Sequence, residues 1–336
     1  KVGNEVFQQR PDLSSSLVRA MQNVYDGLAK VGLADAIKVS SPVAFDALDV
    51  SFPPSQGRFR GELQSYIRPM LDFHRRTGSD FTVNIYPYFA YRDNPDINLD
   101  YALGRLPNPG AFDDKSGKSY FSLLDAQLDA VYFAMAALGF TTAAHTDTIG
   151  IPHQRDGSGV SVSESGWSSN GESLRRLRWG PDAALARGGT SARRVELEMA
   201  LQNASVAVEH GASVENAQAY NSNLVKRVLA GKTGTPLHPD ADLDVYVFSL
   251  FNENLKPGLE SERNFGLFYP DGTKVYDVQF RAWCVADPAA GREKLQAALD
   301  WACGPQGGAN CGPIQPSGPC FEPDTVEAHA SHAMND

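Results

Sequence analysis

The chain has 336 residues, 42% hydrophobic and 21% charged, a composition typical of a globular protein with room for one large and one small domain. The formal net charge of -10 argues against a nucleic-acid-binding protein and agrees with a neutral ligand such as carbohydrate. No run approaches the ~20 apolar residues of a membrane-spanning helix, so the sequence predicts none.

Strand-like runs alternate with helical periodicity along most of the chain. The first run begins at Lys1 and ends at Glu5. Beyond it the patterns predict helices at 14–31, 60–75, 124–138 and 214–231, and strands at 37–45, 80–91, 159–164 and 243–253. The helix over 14–31 places one apolar stripe on Leu17, Met21, Val24, Leu28 and Val31. Such alternation predicts an α/β fold with a parallel sheet and helices packed outside it.

Two stretches interrupt this rhythm, at 141–159 and 171–212. Both are interpreted as solvated loop insertions, although 195–209 could form a surface helix. His145, Asp147 and His153 lie in the first insertion, but their spacing matches no strong ligand template, so no metal site is predicted. Asn203 in the second begins an Asn-Ala-Ser glycosylation sequon.

Three glutamates stand where predicted strands end: Glu5, Glu164 and Glu253. The carboxyl ends of barrel strands form the rim where catalytic clefts lie. Cleavage of a glycosidic bond needs two carboxyl groups there, one protonated and one ionised. The alternative is that each glutamate caps a loop or pairs with an arginine. Aromatic residues near both runs favour a sugar site, because pyranose rings present apolar C–H faces.

The cysteines cluster at the end of the chain, at Cys284, Cys303, Cys311 and Cys320. This clustering predicts a small disulfide-stapled module and an oxidising, extracellular compartment.

Several motifs together resemble one family. They are VGNE at 2–5, VNIYPYFAY at 83–91, SESGW at 163–167, YNSNLV at 220–225, FNENLKPG at 251–258 and ERNFGLFYPDG at 262–272. In this order they resemble plant endo-1,3-β-glucanases of glycoside hydrolase family 17. The tail that begins WCVADPAAG at 283 resembles carbohydrate-binding module family 43. The resemblance implies a partial (β/α)8 TIM-type barrel over 1–281 and a partial binding module over 282–336.

The resemblance also implies an activity, the hydrolysis of internal β-1,3-glucosidic bonds with retention of configuration. It assigns Glu5 as the acid/base and Glu164 as the nucleophile, and Asn4 as the partner of the sugar 2-hydroxyl. It adds a supporting cluster of Glu253, Lys256 and Glu262. We expect Lys256 to keep Glu164 ionised, and nearby carboxylates to raise the pKa of Glu5. The alternative for the cluster is a salt bridge at the rim.

Further substrate-binding candidates are Asn84, Tyr86, Tyr120 and Trp167, with core packing as the competing interpretation for the two tyrosines. By resemblance, Cys303 pairs with Cys311, which leaves Cys284 and Cys320 without partners. The module is expected to bind glucan; the alternative is a stapled spacer without binding activity.

The chain also departs from the family. The family's first three strands should precede VGNE, and the binding module usually carries six cysteines. We therefore expect a fragment, open at both ends, whose incomplete barrel does not close and has little activity alone. Ser168 stands where the family usually has proline after SESGW, so the geometry of that loop is left open.

The leading function is a secreted endo-β-1,3-glucan hydrolase. The alternatives are a non-catalytic glucan-binding protein of the cell wall, and a mixed-linkage hydrolase or transglycosylase. The expected partner is β-1,3-glucan, with no cofactor and no nucleic acid, and the protein is expected to be a monomer. The expected location is the cell wall or the outer face of the plasma membrane, with membrane attachment through a lipid anchor outside this chain as an open alternative.

Overall fold

The computed structural model describes residues 1–140, 159–170, 209–280 and 285–335. Most of the two predicted insertions falls outside these ranges, as do His145, Asp147, His153, Asn203 and Cys284. The chain divides into two compact units, Lys1–Val278 and Gln279–Asp336.

The described part of the first unit contains helices α1 Val6–Gln9, α2 Ser14–Lys30, α3 Gln64–Thr77, α4 Pro87–Asp93, α5 Leu99–Leu103, α6 Leu123–Ala137 and α7 Val214–Leu229. Helices α2, α3, α6 and α7 follow the predicted periodicity closely, whereas the three short helices α1, α4 and α5 were not predicted. On α2 the stripe is only partly covered, because Leu17 and Met21 are buried whereas Val24 and Val31 are exposed. Helix α6 is buried along nearly its whole length and forms the centre of the core.

The main sheet is parallel and has the order β1–β4–β7–β8. In the part of the chain that the structure describes, the strands in chain order are β1 Val43–Ala44, β2 Leu48–Val50, β3 Arg58–Phe59, β4 Phe81–Asn84, β5 Ala111–Asp113, β6 Lys118–Tyr120, β7 Val160–Ser165 and β8 Val245–Val247. Strands β2 with β3, and β5 with β6, form two small antiparallel pairs beside it. All strands of the main sheet therefore end on the same side of the molecule.

Several predicted strands are shorter than their apolar runs. The run at 80–91 is a strand only to Asn84, since Pro87 begins helix α4 and supplies the fixed φ of a first helical turn. The first five residues were predicted as a strand but form none. They still run beside the segment before β1, where the N–H of Val2 donates to Ser40 O and that of Glu5 to Pro42 O, both at 2.9 Å.

The second unit has its own small core. Helix α8 (Arg292–Cys303) packs on helix α9 (Val326–Ala333) through Leu295 and Ala330. The predicted disulfide between Cys303 and Cys311 is present, and Cys320 is an exposed free thiol.

Among the described residues, no helix is both long enough and apolar enough to cross a bilayer.

Candidate active site

Glu5 reaches the cleft from an unusual backbone position. It precedes helix α1 with φ 48° and ψ 40°, in the left-handed region. A non-glycine residue there costs on the order of 1–3 kcal/mol, and such strain is concentrated at functional sites. The hydrogen bond from its N–H to Pro42 O fixes this turn next to β1. The side chain accepts a hydrogen bond from Gln9 Nε2 at 2.9 Å.

Asn84 hydrogen-bonds Glu5 and is the strand partner of Glu164. It is the last residue of β4, is 2% exposed, and lies in register with Glu164 on β7. Its Nδ2 donates to Glu5 Oε1 at 2.9 Å and to Asn4 Oδ1 at 3.1 Å. Its Oδ1 accepts from Ser163 Oγ at 3.0 Å. With both ends of the amide bonded, Asn84 is a rigid support for Glu5 and Asn4.

Glu164 is held by Tyr86, whose hydroxyl donates to Oε2 at 2.8 Å. Burial, together with the negative charge of Glu5, raises the pKa of Glu164 above its ordinary value. The hydrogen bonds from Tyr86 and Asn4 and the charge of Lys256 act in the opposite direction. Lys256 thus acts on Glu164 in the expected direction, toward the ionised form, although burial outweighs it in the net shift of the pKa.

Lys256 forms the predicted cluster. Its Nζ lies 3.1 Å from Glu262 Oε2 and 3.5 Å from Glu253 Oε2. Burial works against the charged lysine, but the hydrogen bond and charge of Glu262, assisted by Glu253, raise the pKa of Lys256 overall. Lys256 and Glu262 line the same cleft as Glu164. The cluster is therefore an ion-pair network at the rim that also acts electrostatically on Glu164.

One cleft of about 990 Å³ at the ends of the strands is lined by Glu5, Asn84, Tyr86, Glu164, Lys256 and Glu262. The predicted site residues Asn4 and Glu253 are not part of its lining. Its walls include aromatic side chains that the sequence analysis did not single out, namely Phe45, Phe52, Phe89, Tyr101, Phe248 and Phe265. A signal for three of them was present, since Phe89 lies within VNIYPYFAY, Phe248 precedes the FNENL motif and Phe265 lies within ERNFG. Phe248 and Phe265 lie on the side of the cleft formed by the segments after β8. Both rings contact Tyr86, with centroids 5.9 and 5.5 Å from its ring.

Two predicted sugar-binding residues lie elsewhere. Tyr120 and Trp167 are both fully buried, with 0% exposure. The indole Nε1 of Trp167 donates to Gly211 O at 2.8 Å, and its ring packs against Tyr88 and Tyr220. The correction is that both are core residues, because neither ring has a face open to a ligand.

Within the described residues, no group of three or more His, Cys, Asp or Glu side chains is arranged to hold a metal ion. The histidines and aspartate of the first insertion lie outside those residues.

Comparison with known proteins places this geometry in a family. Residues 1–177 and 205–280 match the model for glycosyl hydrolases family 17. The chain belongs to that family. Residues 282–336 match the X8 domain. The predicted family, with its carbohydrate-binding module, is confirmed.

Curated family-17 relatives come from plants. Glucan endo-1,3-beta-glucosidase 13 of Arabidopsis thaliana is 38% identical over 343 residues, covering 96% of this chain and 58% of that protein. Glucan endo-1,3-beta-glucosidase 7 of the same species is 39% identical over 352 residues, covering 99% and 59%. The chain thus spans about three-fifths of the length of these relatives.

A solved family-17 structure is also similar. CJP38, a beta-1,3-glucanase and allergen of Cryptomeria japonica pollen, matches with a TM-score of 0.62 and 35% identity, over 83% of this chain and 70% of that one. This match and the parallel sheet confirm the predicted α/β fold of TIM-barrel type.

Proposed function

We propose that this chain hydrolyses internal β-1,3-glucosidic bonds of β-1,3-glucan with retention of configuration. The observation that carries the proposal is that Glu5 and Glu164 line one cleft with aromatic walls, with Asn84 bonded to the first and paired in strand register with the second. The names of the family-17 relatives point to the same substrate.

Each carboxyl group has a distinct role in this mechanism. Protonated Glu5 donates to the leaving oxygen while ionised Glu164 attacks the anomeric carbon, forming a covalent glycosyl-enzyme. Glu5 then takes a proton from the water molecule that hydrolyses this ester. The hydroxyl of Tyr86 orients the attacking carboxylate, since it donates to Oε2 and leaves Oε1 for the sugar. We assign Asn4, which accepts from the same Asn84 amide as Glu5, to bind the 2-hydroxyl of the same sugar.

The X8 match supports a second role for the C-terminal unit, the binding of wall glucan. A bound module raises the effective concentration of the cleft at the polymer. We place the protein in the extracellular space, at the cell wall, on the same grounds. Depletion of the wild-type chain from solution by insoluble β-1,3-glucan, but not by cellulose, is the expected result.

The activity is tested by reducing-sugar release from linear β-1,3-glucan. Glu164→Gln should lower turnover by at least about a thousandfold, because an amide cannot form the covalent intermediate. Exposed Glu62 provides the matched control, and Glu62→Gln should leave turnover unchanged. Equal turnover by wild type and Glu164→Gln would remove the nucleophile assignment. The same assay on mixed-linkage glucan measures the linkage preference.

A further inference from the structure

Phe52 is an exposed aromatic ring inside the cleft. It follows strand β2, lines the same cavity as Glu5 and Glu164, and is 65% exposed. Comparable rings on the opposite wall are covered, with Phe265 only 1% exposed. Ligand sites are concave and lined by aromatic groups, so an uncovered ring there marks surface that a ligand covers.

The strand order gives the cleft a direction. Phe52 is connected through β2 to β1, at one edge of the main sheet, and Phe248 directly follows β8, at the other edge. Both side chains line the cleft. The two carboxyl groups lie between them. Glu5 is tied to the segment just before β1, whereas Glu164 ends β7, next to β8. Phe52 is therefore on the Glu5 side of the pair.

This direction matters because the acid donates to the leaving oxygen. The sugars released first must then lie on the Glu5 side of the broken bond. Combining these steps, we propose that Phe52 is the stacking platform for a glucosyl unit on the leaving-group side of the cleft. The inference rests on the proposed function and adds the residue that determines how many sugars bind beyond the scissile bond.

Polar groups suited to the edges of such a sugar line the cavity too. Asn94 and Asp96 follow helix α4 and face the same space. Asn94 Oδ1 accepts the N–H of Asp96 at 3.0 Å, which fixes the turn that presents them. A pyranose has apolar faces and hydroxyl edges, so a cleft lined by an exposed aromatic ring and by amide and carboxylate groups matches its chemistry.

The test uses laminarihexaose labelled at its reducing end. Phe52→Ala should lower kcat/KM by about three- to tenfold, the loss of one stacking contact. It should also shift cleavage toward the labelled end, giving shorter labelled products, because fewer sugars are held on the leaving side. Phe52→Trp keeps an aromatic ring at this position and should retain the wild-type cleavage pattern. Phe112 is the matched control: it is 66% exposed, and its neighbour Ala111 rather than Phe112 lines the cleft.

The outcomes separate this inference from the proposed function. An unchanged cleavage pattern in Phe52→Ala, or longer labelled products, overturns the role of Phe52 while the hydrolase assignment stands. Calorimetric titration of Glu164→Gln, with and without Phe52→Ala, measures hexaose binding without turnover. If the wild type binds hexaose but does not cleave it, the proposed activity fails, and a three- to tenfold weaker affinity in the double variant still supports the platform. If neither the wild type nor any variant binds hexaose, both the proposed activity and the role of Phe52 are overturned.

Discussion

At the scale of a single residue, Tyr86 lowers the pKa of Glu164 against the effect of burial. Its hydrogen bond stabilises the carboxylate, so Tyr86→Phe should raise the pKa of Glu164 further. The nucleophile must be ionised, and the acidic limb of kcat/KM should therefore move to higher pH. At pH 5 we expect a loss of roughly ten- to a hundredfold, in line with a hydrogen bond to a charged group. A pH profile on β-1,3-glucan checks both effects.

The control is a buried tyrosine hydroxyl outside the cleft. Tyr276 accepts a hydrogen bond from Asn221 Nδ2 at 2.7 Å and is 7% exposed. Tyr276→Phe can change the stability of the protein, but the acidic limb of its kcat/KM profile should coincide with that of the wild type. An acidic limb that stays in place in Tyr86→Phe would contradict the argument.

The sequence predicted correctly those cleft residues that belong to a motif at a strand end. It predicted wrongly those whose place in the cleft or in the core depends on the direction of the side chain. Glu5 and Glu164 follow from strand ends and the family motifs, and they share the cleft. Trp167 is only three residues beyond Glu164, yet it points into the core, because the chain turns between them. Phe52 carries no motif of its own; its place in the cleft depends on the tertiary structure.

At the scale of elements, helix α7 depends on its first residue. The Oγ of Ser213 accepts the N–H of Asn216 at 3.1 Å and satisfies one free donor of the helix start. Ser213→Ala should lower the free energy of unfolding by about 1 kcal/mol, and Ser213→Asp should lose little, since its carboxylate can cap the same N–H. Urea unfolding monitored by circular dichroism measures both. A destabilisation equal in the two variants would show that capping is not the cause.

Helix α6 carries a buried acid that couples stability to pH. Asp129 is 0% exposed, its Oδ2 accepts the N–H of Leu237 at 2.8 Å, and burial raises its pKa to about 6. Because the folded-state pKa is above the unfolded one, its stabilisation is complete below about pH 4 and is lost as the pH rises through about 6.

Asp129→Asn should remove that dependence, since the amide oxygen still accepts from Leu237 but does not ionise. As the pH rises from 4 to 7, the wild type should therefore lose up to about 3 kcal/mol of unfolding free energy that Asp129→Asn does not lose. Urea titrations at the two pH values measure it. The control is Asp72→Asn, whose side chain is 50% exposed. A wild-type-like pH dependence in Asp129→Asn would refute the coupling.

The helices were predicted more closely than the strands for a physical reason. A helix makes its hydrogen bonds within its own segment, so the apolar period of α6 and α7 nearly fixes their bounds. A strand is defined by its neighbours. The apolar runs at 37–45 and 243–253 are strands only at Val43–Ala44 and Val245–Val247, where they pair with β4 and β7.

At the scale of the whole molecule, the chain divides where its composition changes. The clustered cysteines indicated a separate module, and the second unit begins at Gln279 with a core of its own. The pairing of Cys303 with Cys311 came from the family resemblance, because four cysteines allow three connectivities. That core is small, with Ala286, Leu295 and Ala330 as its buried residues.

A core of this size makes the second unit dependent on its disulfide. The Cys303–Cys311 bridge spans 8 residues, and in the chain-entropy model a loop of that length stabilises by roughly 2–3 kcal/mol. Replacing both cysteines by serine should lower the unfolding transition of the second unit and leave that of Lys1–Val278 in place. Scanning calorimetry before and after limited proteolysis at the boundary after residue 278 shows which unit each unfolding transition belongs to. Cys320→Ser removes a free thiol and should shift neither. An equal shift of both transitions in the double variant would show that the units do not unfold independently.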